Sequence, residues 1–332
     1  MKYLLVVLAV LIAAAPADAA VSRKKAIWGP VEVNGQSQFP IYADLGVGIY
    51  QTNLNWDTVE PRPGEYAWPA EIDTAIAEGA KYGIQVSLSV SGAPRWANGG
   101  RDRRYAPSKP GDFADFVTAA AKRYPAVHHW LIWGEPTKQS NFRPLKGAAP
   151  RYARILDAAY GALKRVSRSN LVIGGNTFTV GTFTPQRWIE TMRLPNGKPP
   201  RMDLFGHNPF SARRPNLKTE PLGRGYADFS DLDTLVGWLD RYQRKGLKLF
   251  LSEFTLPTGH ANWEFNFWMS PTLQAQWLTD ALKITRGWSR IYTLGYLGLY
   301  DDALRDDGRQ VERGLIERDG TKKPAYNAFK NG

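Results

Sequence analysis

The sequence predicts one closed barrel of eight parallel strands surrounded by helices, the (β/α)8 or TIM barrel of the α/β class. Short apolar stretches of strand length alternate with longer stretches of helix length, and eight such units fit within residues 20–332. The alternative is an open, doubly wound sheet, but no G-x-G-x-x-G loop follows the first strand. No short-period repeat and no low-complexity linker divides the chain, so residues 20–332 are predicted to form a single domain.

The eight strands are predicted from apolar, β-prone runs bounded by turn residues. They are assigned to residues 25–28, 46–54, 84–90, 127–133, 171–174, 202–206, 247–251 and 291–299. The fourth run leads into Glu135 and is predicted to stop there, because Pro136 has no N–H to donate to a neighbouring strand.

The stretches between the strands show helical spacing or helix-boundary residues. Within residues 70–82, Ile72 and Ala75 lie on one face, and Gly83 follows at a position that favours a helix end. Gly246 ends another helix in the same way. The predicted helices are residues 70–82, 112–123, 150–166, 185–192, 231–245, 271–286 and 323–330.

Residues 1–19 are predicted to be a secretory signal peptide. Lys2 precedes an apolar run over residues 4–15, and Ala17-Asp18-Ala19 has the small-x-small form of a cleavage site. The run is too short for a membrane-spanning helix, which argues against an uncleaved anchor. We expect cleavage after Ala19, export to the periplasm or the medium, and no stable membrane insertion afterwards.

Charge and composition limit the classes of partner. The formal net charge is +12, and the chain has 12 Trp and 15 Tyr; this suits a nucleic acid, an anionic surface or an acidic polymer. Nucleic-acid binding is disfavoured, because the basic residues are interleaved with 31 Asp and Glu and no nucleic-acid motif is present. With no Cys and 4 His, we expect no disulfide, no transition-metal site and no cofactor.

Two apolar runs each deliver one glutamate to a predicted strand end. Glu135 ends the fourth strand and Glu253 follows the seventh. Because the carboxyl ends of barrel strands form the active-site face, the two side chains are expected to face each other. One such glutamate is more often an ion-pair partner, but a pair provides the acid and the nucleophile or base that glycosidic-bond hydrolysis requires.

Four segments resemble clan A glycoside hydrolases. Trp133-Gly134-Glu135-Pro136 resembles their Asn-Glu-Pro acid/base segment, and Leu251-Ser252-Glu253-Phe254 resembles their strand-seven nucleophile segment. Residues 55–66 resemble a second-strand segment found especially in family 39, and residues 314–326 resemble the segment before the last helix. The nearest relatives suggested are family 39-like enzymes, including endoglycosidases that cut bacterial exopolysaccharide. The resemblance implies a retaining mechanism, with Glu135 as acid/base and Glu253 as nucleophile.

Two positions depart from the family pattern. Gly134 stands where relatives have an Asn that contacts the sugar 2-hydroxyl, which implies a different substituent at that carbon, another contact residue, or weakened or lost activity. Phe210 stands at the end of strand six, where relatives often have a Tyr that touches the nucleophile. Tyr296 and Tyr300 are the candidates to replace that contact.

Other residues at this face are candidates for substrate binding. His207 and Asn208 end strand six, where they are predicted to bind a sugar hydroxyl, to orient Glu253, or to serve structure alone. Aromatic rings stack on the C–H faces of sugars, and the candidates for this role are Trp56, Trp96, Trp133, Trp263 and Trp268.

The tryptophans divide into two groups by position. Trp56, Trp96 and Trp133 are at or near the predicted mouth, where a sugar platform and packing of the barrel rim are equally good interpretations. Trp263 and Trp268 lie in the loop after strand seven, in which four aromatic residues are difficult to bury. That loop is therefore predicted to form a sugar subsite or a lid.

Basic residues are concentrated in the loops of the predicted catalytic face. They are Arg101, Arg103, Arg104, Lys138, Arg143, Arg213 and Arg214. Guanidinium groups suit bidentate contacts with carboxylate or phosphate, so one hypothesis is an anionic glycan substrate. The alternative is ordinary solvated charge.

Together these features predict an exported glycoside hydrolase that cleaves a polysaccharide or oligosaccharide with retention of configuration. The alternative, from another class, is a glycan-binding barrel that has lost activity, and Gly134 is the residue that keeps this alternative open.

Overall fold

Eight parallel strands close into a barrel, as the sequence predicts. The computed structural model describes residues 22–332, so the predicted signal peptide lies outside the described residues. The strands are β1 (Ser22–Trp28), β2 (Val47–Asn55), β3 (Gln85–Ser91), β4 (His129–Ile132), β5 (Leu171–Phe178), β6 (Leu204–Asn208), β7 (Lys248–Phe254) and β8 (Ile291–Leu297).

Each strand pairs with the next along the chain, and β8 pairs with β1 to close the ring. Lys25 lies opposite Leu294 across this last seam, and Ala26 lies opposite Ile49 between β1 and β2. Because all eight pairs are parallel, every strand has its carboxyl end at the same rim. The ends of β4 and β7 therefore belong to one face.

Helices cover the outside of the barrel. They are α1 (Phe39–Asp44), α2 (Trp56–Val59), α3 (Ala70–Lys81), α4 (Pro110–Arg123), α5 (Ala148–Val166), α6 (Pro185–Thr191), α7 (Leu232–Tyr242), α8 (Pro271–Gly287) and α9 (Pro324–Asn331). The predicted helices are confirmed as α3 to α9, whereas α1 and α2 are too short to give a periodic pattern. Within residues 22–332, no helix has both the length and the apolar composition that crossing a membrane requires.

The alternating direction of strand side chains separates the core into two parts. The inner part is a cluster from six strands inside the barrel: Ala26, Ile49, Leu131, Ile173, Leu204 and Phe250. The outer part packs between the strands and the helices. His129, on β4, lies within hydrogen-bond distance (2.8 Å) of the Tyr292 hydroxyl, and burial lowers the pKa of this histidine to about 4. It is neutral at physiological pH.

Strand β4 differs from its prediction at the functional end. It ends at Ile132, three residues before Glu135. Trp133 and Glu135 have φ angles of 65° and 43°, which lie in the left-handed region and break the strand. Strand β7, in contrast, continues beyond its predicted end and contains Glu253.

Candidate active site

Glu135 and Glu253 lie in one cleft at the carboxyl-end rim of the barrel. Glu135 follows β4, and Glu253 is the penultimate residue of β7. Both side chains line a cavity of about 310 Å³ and a second cavity of about 340 Å³. The two carboxyl groups therefore stand where these cavities meet.

The backbone that carries Glu135 is bent out of the strand and held there. A left-handed conformation costs a non-glycine residue about 1–2 kcal/mol, and Trp133 and Glu135 both adopt it. The Trp133 N–H donates to the Val90 carbonyl at 2.8 Å, and the Asn176 amide donates to the Trp133 carbonyl at 3.1 Å. The Trp133 indole N–H donates to the Asn141 carbonyl at 2.9 Å. These bonds fix the direction in which Glu135 projects.

The Glu135 carboxylate is surrounded by donors. The Asn208 amide donates to its Oε1 at 3.0 Å, and the Asn141 amide donates to its Oε2 at 3.4 Å. The Lys138 ammonium lies 3.0 Å from the same Oε2. These donors and the nearby cation hold the Glu135 carboxyl group in a fixed position.

Glu253 has the opposite environment. Burial and, second, the negative charge of Glu135 raise the pKa of Glu253 well above its ordinary value of 4.5; the charges of Lys138 and Arg313 oppose this shift. The strand beneath it is anchored, because the Ser252 carbonyl accepts hydrogen bonds from the Trp28 indole at 2.9 Å and from the Gln51 amide at 2.8 Å.

Burial beside the negative charge of Glu135 favours the protonated form of Glu253. An arrangement of one protonated and one ionised carboxyl group is what acid catalysis combined with nucleophilic attack requires.

The first cavity, which we call the polar cavity, lies on the side of β2, β3 and β4. Its lining includes Asn53, Asn55, Ser89, Ser91, Arg103 and Asn141. Amide and hydroxyl groups of this kind both donate and accept hydrogen bonds, as sugar hydroxyls do. This side of the cleft is therefore suited to a polyhydroxylated ligand.

The second cavity, which we call the aromatic cavity, lies on the side of β5, β6 and β7. Phe178, Phe210, Phe265 and Phe267 line it, with successive ring centroids 5.6, 5.6 and 5.8 Å apart. Lys138 reaches over Phe178, with its ammonium 4.5 Å from the ring centroid. A continuous aromatic wall of this kind can pack against the apolar face of a sugar ring.

The predicted tryptophan platform is only partly present. Trp133 lines the polar cavity, although its side chain is almost completely covered. Trp56 is fully buried, stacks on Phe116 and donates its indole N–H to Glu60 at 2.6 Å. The stacking role predicted for Trp56 is therefore wrong, because its indole is inaccessible. Trp96 packs edge-on against Trp56 and lines neither cavity.

The aromatic residues of the loop after β7 lie in two different environments. Trp263 and Trp268 are 39% and 47% exposed but line neither cavity. The Arg305 guanidinium covers the Trp263 ring at 4.6 Å from the centroid. Phe265 and Phe267, between the two tryptophans, are the aromatic residues of this loop that reach the cleft.

Neither tyrosine replaces the contact that Phe210 lacks. The Tyr296 hydroxyl is buried and donates to the Arg313 carbonyl at 3.0 Å. The Tyr300 hydroxyl donates to Gln38 at 2.7 Å. The predicted contact with Glu253 is therefore wrong for both residues, since their hydroxyls are engaged elsewhere.

His207 and Asn208 are both fully buried beneath the cleft. Asn208 contacts Glu135, so the prediction that this residue orients Glu253 is wrong. His207 donates its Nε2–H to the Ala227 carbonyl at 3.0 Å, and its Nδ1 lies 2.7 Å from the Thr177 hydroxyl. Burial lowers the pKa of His207 to about 4, so this neutral histidine supports the structure below the site.

Gly134 leaves unused room in the polar cavity. A Cβ atom at this position would meet one neighbour within 4 Å, the Ser89 hydroxyl at 3.8 Å. The φ angle of Gly134 is not in the left-handed region, unlike those of Trp133 and Glu135. Neither space nor backbone conformation therefore requires a glycine there.

Sequence reasoning missed the polar residues around the carboxyl pair. Asn53 and Asn55 alternate along β2, and Ser89 and Ser91 alternate along β3, so each pair points to the same side. Polar residues at every second position of an otherwise apolar strand end were the available signal. Asn141 gave no such signal, because a loop brings it to Glu135.

No protein-family model and no curated sequence matches this chain. Solved structures are similar. One is a family 39 glycoside hydrolase from the gut symbiont Bacteroides cellulosilyticus WH2, with a TM-score of 0.72 and 18% identity, covering 93% of this chain and 63% of that one. Another is a monomeric β-xylosidase from Caulobacter crescentus CB15, with a TM-score of 0.66 and 15% identity, covering 96% of this chain and 69% of that one. A third is a xylanase from Paenibacillus barcinonensis, with a TM-score of 0.63 and 13% identity, covering 95% of this chain and 99% of that one.

The chain therefore has a barrel fold similar to that of these glycoside hydrolases, which confirms the predicted fold and its resemblance to family 39 structures. It spans 63% of the length of the Bacteroides structure. At these identities the similarity concerns the fold, so any statement about chemistry must rest on the residues of the cleft.

Gly134→Asn is expected to fold with a free energy of unfolding within about 0.5 kcal/mol of the wild type, because the new Cβ has room. Denaturant unfolding measures this value. The control is Gly295→Ala on β8, whose Cβ would lie 2.2 Å from the Ser252 carbonyl oxygen and which should cost about 1–3 kcal/mol. Equal losses in the two variants would show that the cleft has no spare room at Gly134.

Glu253→Gln is expected to stabilise the fold at neutral pH by about 1–2 kcal/mol, because a buried carboxyl group with a raised pKa is costly to ionise. Below the ordinary pKa of 4.5 the carboxyl is protonated in both folded and unfolded states, so the gain should vanish. Thermal melts from pH 4 to pH 8 test this. Glu135→Gln is the comparison variant: it should give a smaller gain, because it removes the repulsion from Glu135 but leaves the Glu253 carboxyl group buried.

Proposed function

We propose that the protein is an exported, retaining glycoside hydrolase that cleaves a polysaccharide or oligosaccharide. The observation that carries this proposal is the pair of Glu135, just after β4, and Glu253, on β7, at the meeting point of two cavities. The family 39-type fold supports the same conclusion. Cavities on both sides of the pair favour a ligand that extends across the cleft, as a chain of sugars does.

The first chemical step divides the work between the two residues. Glu135 transfers its proton to the glycosidic oxygen while a Glu253 oxygen bonds to the anomeric carbon, and the carbon–oxygen bond to the leaving sugar breaks. In the second step the Glu135 carboxylate takes a proton from water. The water oxygen then bonds to the anomeric carbon, the bond to Glu253 breaks, and both residues regain their starting states.

This division requires an ionised Glu253, whereas burial and the charge of Glu135 raise the pKa of Glu253 in the free protein. The positive charge of Lys138, whose ammonium is 3.0 Å from Glu135, opposes this rise. Lys138 is thus a positioning residue, because its charge favours the ionised state that the nucleophile requires.

The amide of Asn141 is the candidate for the sugar contact that Gly134 cannot make. It lines the polar cavity and lies 3.4 Å from the Gly134 carbonyl and from Glu135 Oε2. The space over Gly134 also admits a larger substituent on the sugar. Both features are compatible with an active enzyme of altered substrate preference.

Export remains a proposal that rests on the sequence of residues 1–19. The basic n-region, the short apolar run and the Ala17-Asp18-Ala19 site support it. An exported location also suits a polysaccharide, because polymers of this kind are found outside the cell membrane.

Activity should depend on both carboxyl groups. Wild type is expected to release new reducing ends from at least one member of a panel of xylans, glucans, galactans and bacterial exopolysaccharides. Glu135→Ala and Glu253→Ala should each lower this rate by about 10²–10⁴-fold or more, because each removes a group that acts in the transition state. The measurement is a reducing-end assay with product sizing.

Added azide distinguishes the acid/base residue from the nucleophile. In Glu135→Ala, azide should attack the glycosyl-enzyme and give a glycosyl azide of retained configuration. In Glu253→Ala it should attack the substrate directly and give the inverted product. Glycan binding without cleavage by the wild type would instead select the inactive glycan-binding barrel.

Lys138→Met should move the alkaline limb of the kcat/KM profile upward by about one pH unit, because loss of a neighbouring cation increases the proton affinity of the carboxyl pair. Lys146→Met is the matched control: it makes the same charge change at an exposed position in the same loop. Identical profiles for the two variants would contradict the role given to Lys138.

A further inference from the structure

We infer that Arg103 forms a carboxylate-binding subsite in the polar cavity, so that the preferred glycan carries carboxylate groups on its sugars. The inference rests on the proposed function for the identity of the ligand as a glycan. It names one specificity-determining residue among the basic side chains of this face.

Most basic side chains on this face are already engaged. Arg213 donates to Asp228 and Asp231 and to the Glu220 carbonyl. The charged groups of Lys138 and Arg214 pair with Glu135 and Asp280. The general hypothesis of a basic face that attracts anions is therefore too broad, because these cations hold loops or the carboxyl pair in place.

The guanidinium of Arg104 is also engaged by a carboxylate. Its Nε and Nη2 both donate to the Asp102 carboxylate, at 2.8 and 2.9 Å. This is the bidentate geometry in which a guanidinium fully engages one carboxylate. Although Arg104 borders the polar cavity, its fork is occupied.

Arg103 is anchored by one nitrogen. Its Nη2 donates to the Asn55 side-chain oxygen at 2.6 Å and lies 3.1 Å from the Asp57 carboxylate. Within residues 22–332, Nε and Nη1 make no hydrogen bond, and 47% of the side chain is exposed. The guanidinium is thus held in place by Nη2 while its other N–H groups remain available to a ligand.

Gly92 allows this placement. It follows β3 with a φ of +80°, and a Cβ atom there would lie 2.5 Å from Asp57 Oδ1 and 2.7 and 2.9 Å from Arg103 Nη2 and Nε. The guanidinium therefore rests directly on the backbone at the end of β3. A glycine in the left-handed region, where other residues are strained, is what makes this close approach possible.

The location defines the ligand group. Arg103 shares the polar cavity with Glu135 and Glu253, so an anion bound to it belongs to the sugar chain that crosses the carboxyl pair. Asn53 and Ser89, which are neutral, remain for the hydroxyls of the same sugars. A planar guanidinium with free N–H groups matches a planar carboxylate.

The test is affinity electrophoresis in gels that contain alginate, polygalacturonate, hyaluronate or xanthan, each paired with its carboxyl-reduced form. Wild type should be retarded by at least one acidic polymer and much less by its reduced partner. Arg103→Gln should weaken this retardation about 10- to 100-fold in apparent affinity. Arg104→Gln should not, although it removes the same charge from the same cavity.

Two further variants keep the test independent of folding and of net charge. Arg103→Lys keeps the charge but loses the fork, and Gly92→Ala keeps the arginine but displaces it; both should lose the preference for the acidic polymer. Circular dichroism melts identify any variant that fails to fold. Equal effects of Arg103→Gln and Arg104→Gln would overturn the inference, as would equal retardation by acidic and reduced polymers or no retardation by any acidic polymer.

The outcomes also separate this inference from the proposed function. Cleavage of a neutral polysaccharide that requires Glu253, with no preference for its carboxylated analogue, would overturn the role of Arg103 and leave the hydrolase intact. Binding of an acidic polymer that requires Arg103, without cleavage, would overturn the hydrolase and leave the subsite.

Discussion

The closed ring of parallel strand pairs is the constraint on which the rest of the structure depends. Because β1 pairs with β8, every strand has two neighbours and all eight carboxyl ends share one rim. Residues as distant in sequence as Glu135 and Glu253 thus enter one cleft. Closure also supports the site from across the barrel, since Trp28 on β1 and Gln51 on β2 both donate to the Ser252 carbonyl on β7, a strand with which neither pairs.

Within this frame, charge compensation decides which groups are available for chemistry. The chain has a formal net charge of +12, yet many basic side chains in the loops around the cleft form ion pairs with acidic side chains of the same protein. Arg213 holds Asp228 and Asp231, and Arg313 joins Asp302 to Glu264. Such pairs order the long loops of the rim. What matters for recognition is which N–H groups remain after these pairs form, and net charge does not reveal this.

The cleft also shows how a local departure from regular structure serves a site. A straight continuation of β4 would alternate Trp133, Gly134 and Glu135 across the sheet. The two left-handed residues instead turn the chain, so that Glu135 meets Asn208, Asn141 and Lys138. Strain at a functional position is tolerated because two hydrogen bonds hold the backbone there: the Trp133 N–H donates to the Val90 carbonyl, and the Asn176 amide donates to the Trp133 carbonyl.

The sequence by itself determined the barrel, the order of its strands and helices, and the two strand ends that carry glutamate. Hydrophobic periodicity and turn residues are local properties, and parallel closure then fixes the common rim. Only the tertiary structure decided which neighbours each side chain meets. Trp56 is buried under α4 rather than exposed to substrate, and Asn208 binds Glu135 rather than Glu253. Likewise, Arg103 and Arg104 are adjacent in sequence and equal in charge. Their different hydrogen bonds arise from Gly92, Asn55 and Asp102, and the placement of separate loops around one rim is a non-local property that no short pattern encodes.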